Sequence, residues 1–164
     1  MPKLPDEEPE LTEIPSELTE IIAQVNDLYD VYWDRESFGD LPSENEIISH
    51  YVVPFLRRLG WLPELIGVGR RHIDIALFSS LSHTPENCSF IIEAKRLGAG
   101  VEGALEQARG YAENIGTSCD IVVTDGVRCR LYDAKQVFKP IAYANLYRLK
   151  ESSIALFSRI KKKG

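Results

Sequence analysis

In the run Phe90-Ile91-Ile92-Glu93-Ala94-Lys95, two opposite charges end a stretch apolar enough for a protein interior. Side chains alternate along a strand, so Glu93 and Lys95 share one face, about 7 Å apart. A charge in such surroundings is costly and signals pairing or metal binding. A second anomaly stands upstream. Asp74 interrupts His72-Ile73-Asp74-Ile75-Ala76-Leu77-Phe78 and puts a carboxylate in the middle of a mainly apolar strand. Two carboxylates on adjacent strands form the oxygen-rich, anionic site that Mg²⁺ prefers, with positions left for water and a phosphate oxygen. A lysine two residues on can hold or deprotonate that water and stabilise charge developing on phosphorus. Structural duties compete with this chemistry: Glu93 and Lys95 could be an ion pair on a solvated strand edge, and Asp74 could cap the turn at Arg70 and Arg71 or pair with one of them.

Periodicity supplies the elements that must position these groups. Leu18, Ile21, Ile22, Val25, Leu28, Tyr29 and Tyr32 recur at three and four residues, which predicts a helix over 16–38. Ser43 followed three residues later by Glu46 is a capping box, opening a second helix whose buried side is Ile47, Ile48, Tyr51, Val52, Phe55, Leu56 and Leu59 and which Gly60 ends. The period then changes from 3.6 to 2. Strands are expected over 64–68 and 72–78, around a turn at Gly69-Arg70-Arg71, and over 88–95. Val101, Leu105, Ala108, Tyr111 and Ala112 predict a helix stopping at Gly116, followed by strands over 121–124 and 129–132, an extended piece over 135–144 and a closing helix over 146–160 with the basic end Lys161-Lys162-Lys163. The expected class is α/β: a strand of parallel character reached through a crossover helix, in a sheet covered on both faces.

Charge divides unevenly. Of 25 acidic and 19 basic residues, residues 1–46 hold 14 acids but only Lys3 and Arg35 as bases (2 − 14 = −12), whereas residues 47–164 hold 11 acids and 17 bases (+6). A basic body attracts phosphates whatever the total, because the local potential decides binding. The acidic leader could lie over that body and mimic nucleic acid, restraining it until displaced. Residues 1–15, with four prolines among acids, read as a mobile tail, and 16–164 as one domain with a core at 43–133. The start is acidic rather than basic and apolar, and no apolar run approaches a bilayer span, so a cytoplasmic protein without a membrane is expected. Cys88, Cys119 and Cys129 show no C-x-x-C spacing and read as reduced, mostly buried thiols. His50, His72 and His83 show no ligand spacing, though His72 shares the Asp74 face and could line the same cleft.

The pattern D, then after a gap E-x-K, each behind an apolar run, resembles the PD-(D/E)XK nuclease superfamily. Further residues narrow the resemblance to the N-terminal nuclease domain of type I restriction enzyme R subunits and stand-alone relatives. These are Ser43-Glu44 leading to Pro54-Phe55-Leu56-Arg57-Arg58-Leu59-Gly60-Trp61; the signature strand Ile92-Glu93-Ala94-Lys95-Arg96; Gln107 and Tyr111 as a Q-x-x-x-Y motif on one helix face; and Thr124-Asp125-Gly126 with Arg130-Leu131-Tyr132-Asp133, where the family more often has Asn at the position of Asp125.

The resemblance implies a restriction-endonuclease-like core of order α-β-β-β-α-β, its central mixed sheet of about five strands flanked by helices, with extra N- and C-terminal helices. It implies an Mg²⁺-dependent endodeoxyribonuclease of restriction or defence, with Mn²⁺ as a substitute ion. Asp74, Glu93 and the Ala94 main-chain carbonyl would hold the ion, Lys95 would serve the nucleophilic water, Gln107 would orient the lysine or a phosphate, and Glu44 would be an auxiliary acid. Glu46 competes for that last role, but has a job in the capping box, while Glu44 precedes Ile47 and Ile48 by three and four residues and so is expected to face inward. Arg70, Arg71, Arg96 and Tyr111 are the candidate phosphate contacts. The implied partners are DNA, a motor or specificity subunit and a second copy of the chain. The alternative is a nucleic-acid-binding or regulatory module that retains the fold but is inactive without a partner.

Overall fold

The computed structural model describes residues 13, 15–33, 42–97, 99, 101, 103–117, 119–146 and 148–163. The expected tail over 1–15, residues 13 and 15 apart, and the last part of the expected first helix, 34–38, lie outside them. The described elements are α1 (Ser16–Trp33), a helix α2 in three parts (Glu44–Ile47, Ile48–Val52 and Val53–Arg58), β1 (Ile66–Val68), β2 (Ile75–Phe78), β3 (Cys88–Ala94), α3 (Leu105–Ile115), β4 (Asp120–Thr124), β5 (Arg128–Asp133), β6 (Lys139–Asn145) and α4 (Glu151–Ile160). Among the described residues no helix is long and apolar enough to cross a membrane.

The capping box is built as its sequence demands. The Glu46 amide donates to Ser43 Oγ at 3.2 Å, and the Ser43 amide donates to Glu46 Oε1 at 3.1 Å. The middle part of α2, Ile48–Val52, is a wide π turn. Pro54 accounts for it: proline has no amide hydrogen and crowds the carbonyl four residues back, so the chain widens before it. Gly116 ends α3 in the left-handed conformation (φ 76°), as a helix-terminating glycine should.

The six strands lie in the order β1-β2-β3-β4-β5-β6, one more than the resemblance implies. The extra strand is β6, which follows a turn where Val137 and Phe138 are both left-handed (φ 55°) and pairs with β5 along its length. Only β3 and β4 are parallel, joined by the α3 crossover as expected; the other neighbours are antiparallel. One face of the sheet, with Ile75, Leu77, Ile92, Val122 and Leu131, packs against α1, α2 and α4. The other, with Ala76, Ile91, Ile121 and Val123, packs against Ala104, Ala108 and Ala112 of α3. β3 is thus covered on both sides, which explains its continuous apolar run.

The basic end of the chain is anchored rather than trailing. The Lys162 amide donates to the Leu59 carbonyl, the Trp61 indole donates to the Ile160 carbonyl at 2.8 Å, and the Lys162 ammonium lies 5.7 Å from the Trp61 ring centre. The closing helix starts later than expected, at Glu151 rather than 146.

Ser43→Ala removes one side of the capping box and should lower stability by about 1 kcal/mol. Urea unfolding monitored by circular dichroism checks this; an unchanged midpoint would show that the box contributes nothing to α2.

Candidate active site

β2 and β3 are registered with Ile75 opposite Ile92, and the same register carried one residue further sets Asp74 across from Glu93. Asp74 does not sit in mid-strand as expected; it stands immediately before β2. The intervening turn is wider than a tight hairpin, because Arg71 and His72 are left-handed (φ 51° and 66°) and the loop closes only where the Gly69 amide donates to the Asp74 carbonyl at 3.0 Å. The Asp74 side chain is nevertheless tied to the neighbouring strand, since Oδ2 accepts the Ala94 amide hydrogen at 2.8 Å. The backbone that carries Glu93 thereby fixes the second carboxylate.

Glu93 is 3% exposed. Its Oε1 accepts from Lys95 Nζ at 3.4 Å, while its Oε2 is buried without a hydrogen-bond partner. Burial pushes the Glu93 carboxyl up, the Asp74 charge pushes it further, Lys95 opposes both and Glu44 adds a little; the outcome is a rise to about 7. Lys95, half-buried, also donates to Gln107 Oε1 at 3.2 Å, and Gln107 Nε2 donates to Tyr111 Oη at 2.9 Å. The four-residue spacing puts Gln107 and Tyr111 on one face of α3, and the crossover lays that face over the end of β3. A continuous line of contacts therefore runs from Glu93 through Lys95 and Gln107 to Tyr111.

Glu44 does not face inward; it is exposed in the first turn of α2, because the inward direction is taken by Ile47 and Ile48. Its charge is still felt at Glu93, and Glu46 is occupied by the capping box. Arg70, Arg71 and Arg96 are exposed and, among the described residues, stand outside the hydrogen-bonded line. Arg70 and Arg71 line a separate cleft of about 150 Å³ with Ile73, Ala76, Phe78 and His83, which does not include His72.

Two side chains in this region have structural partners that spacing alone does not show. His83 stacks on Phe78 (ring centres 4.1 Å apart), a contact set by the 79–87 loop and invisible in spacing. Asp125, fully buried, accepts from the amides of Val127 and Arg128 and from Arg128 Nε, so it closes the β4–β5 turn. Asp-Gly between two strands marks this turn in the sequence.

The chemical balance of the site is one ammonium against two carboxylates, with a third nearby and one buried carboxylate oxygen unsatisfied. Among the described residues, no group of three or more His, Cys, Asp or Glu side chains could hold a metal ion. The donors at the centre are Asp74 and Glu93. Oxygen donors, excess negative charge and the orphaned Oε2 are what a hard divalent cation requires, so the residues present fit such an ion.

No protein-family profile matches this chain, and no curated protein matches it. Among solved structures, it is similar to a fragment described as an HsdR subunit of a type I restriction enzyme from Vibrio vulnificus YJ016. The identity is 19% and the TM-score 0.48, over 73% of this chain and 25% of that one, so this chain spans about a quarter of that structure's length.

The raised carboxyl has a consequence for stability. Folded Glu93 keeps its proton to about pH 7, whereas its ordinary value is 4.5, so the folded state binds the extra proton between these limits. Stability from this group is complete below about 4.5 and is lost as the pH rises through about 7. The loss is on the order of 3 kcal/mol. Glu93→Gln keeps the shape and removes the titration, so in chelator-treated buffer the variant should gain on the wild type by that order between pH 4.5 and pH 8. Parallel pH profiles in denaturant unfolding would contradict the assignment.

Proposed function

We propose that the chain is a metal-dependent nuclease that hydrolyses DNA phosphodiester bonds, of the restriction or defence kind, with Asp74, Glu93 and Lys95 at its centre. The observation that supports this reading best is the buried Glu93 carboxylate facing half-buried Asp74 beside a lysine, with Glu93 Oε2 unpaired. Asp74 and Glu93 would hold Mg²⁺, or Mn²⁺ in its place, with the Ala94 carbonyl assisting. When bound, the ion supplies Lewis acidity toward a phosphate oxygen and compensates the carboxylate charge. Lys95 then presents its Nζ to the attacking water, holding it or taking its proton, and offers positive charge where phosphorus gains negative charge. Gln107 fixes the direction of Lys95 by accepting from Nζ, and Tyr111 fixes Gln107. Glu44, exposed but electrostatically coupled to Glu93, suits an auxiliary acid at the solvent side. Arg70, Arg71 and Arg96 would contact backbone phosphates, consistent with the positive balance of residues 47–164. A motor or specificity subunit would supply base recognition, and a second copy of the chain the second cut of a duplex; a cytoplasmic location follows from such a substrate.

The lack of a third convergent carboxylate or imidazole among the described residues favours a second reading, a nucleic-acid-binding module that keeps this site but does little chemistry without a partner.

Plasmid incubated with the protein and Mg²⁺ or Mn²⁺ separates the two. Conversion to nicked or linear DNA is expected, falling at least roughly 100-fold in Lys95→Ala and in Glu93→Ala. Cleavage that persists in those variants would refute the site, and DNA binding by the wild type without cleavage would support the second reading.

A further inference from the structure

Two of the three cysteines meet. Cys88 begins β3 and Cys119 stands just before β4, and their Sγ atoms are 3.6 Å apart. Parallel pairing is the cause: Phe90 is opposite Asp120, so the two segments already run side by side where the strands begin. Both side chains belong to the apolar cluster on the α3 face of the sheet. Cys129 lies in the cluster on the opposite face, where its thiol contacts Thr124 Oγ1 at 3.2 Å. A disulfide needs sulfurs about 2.05 Å apart, roughly 1.5 Å closer than this pair stands.

The pair is also reachable. A surface cleft of about 300 Å³ opens over it, lined by Pro85, Glu86, Gly116, Thr117 and the two cysteines, which are 9% and 8% exposed. The two sulfurs differ chemically. The contact with Cys119, with further hydrogen bonds involving Thr117 and the Phe90 backbone, lowers the Cys88 thiol despite its burial; that same contact, with burial, pushes the Cys119 thiol up. The thiolate is the reactive form of a thiol, so the two residues fall into attacking and resolving roles.

We propose that Cys88 and Cys119 are an oxidisable dithiol, reached through the cleft by hydrogen peroxide or a similar small peroxide, and that it closes into a reversible disulfide. Cys88 sulfur attacks one peroxide oxygen; the O–O bond breaks, a sulfenic acid forms and the other oxygen leaves as water after taking a proton. Cys119 sulfur then attacks the Cys88 sulfur, the S–S bond forms and the sulfenic oxygen leaves as a second water. Two thiols lose two electrons and two protons, and the peroxide is reduced to two waters. The ring so closed contains Glu93, Lys95, Gln107 and Tyr111, and it ties the end of α3 to the start of β3, at the opposite end of the strand from Glu93. Oxidation would therefore clasp the crossover without entering the candidate active site. This inference stands apart from the nuclease reading and does not need it.

Peroxide treatment of the intact chain, followed by thiol alkylation under denaturing conditions and peptide mapping, tests it. Before alkylation the expected product is lighter than the untreated chain by about 2 Da; after alkylation Cys88 is joined to Cys119 and Cys129 carries the label. Its Tm should rise by on the order of 10 °C and return on reduction, because the closed loop constrains the unfolded chain. In Cys119→Ser, Cys88 should stop at the sulfenic acid and be trapped by dimedone. Three alkylated cysteines after treatment, a bridge involving Cys129, or a bridged product with an unchanged Tm would overturn the proposal; mapping of the wild type suffices if the variant fails to fold.

Discussion

The arrangement depends on β3 being buried on both faces while carrying a carboxylate at its end. A strand covered on one side by α2 and α4 and on the other by α3 has no solvent in which to leave Glu93, so the charge must be balanced by what the fold brings to it. Lys95 provides part of the balance and is itself held by Gln107. Asp74 works against it, placed across from Glu93 by the β2–β3 register and locked there by the Ala94 amide. A fold selected for stability alone would hardly set two carboxylates against each other in this position, because the pair is costly without a third party. A divalent cation is the party that would turn the cost into affinity.

The crossover gives this constraint its reach. Parallel pairing of β3 with β4 obliges the chain to travel back across the sheet, and α3 makes that passage. Its apolar side, Ala104, Ala108 and Ala112, packs on Ile91, Ile121 and Val123, which sets the rotation of the helix and brings Gln107 to Lys95. The same pairing, at the opposite end of β3, brings Cys88 to Cys119. One topological choice thus assembles a polar line at one end of the strand and a thiol pair at the other.

Local features were legible in the sequence, and those set by distant backbone were not. The capping box at Ser43 and Glu46 and the stop at Gly116 depend on a few neighbouring residues, and they form as written. Glu93 and Lys95 share a face because alternation is a property of any strand, and Gln107 and Tyr111 share one because four residues make about a turn. Asp74 was displaced from mid-strand because Arg71 and His72 adopt left-handed backbone, which ordinary side chains rarely do and which no composition rule announces. Glu44 was expected to point inward from its spacing to Ile47 and Ile48, yet the first turn of a helix lies beyond the layer those residues bury. The thiol pair was hidden because the register of two parallel strands, separated by a helix, is not written in either one.

The proposed function requires a cation held between Asp74 and Glu93. Crystals soaked in millimolar Mn²⁺ and measured for anomalous scattering test it most directly. A peak is expected within about 2.2 Å of Glu93 Oε2 and of the Asp74 carboxylate, at ordinary oxygen-donor distance. A map with no peak between these two residues, while the carboxylates keep their places, would contradict it.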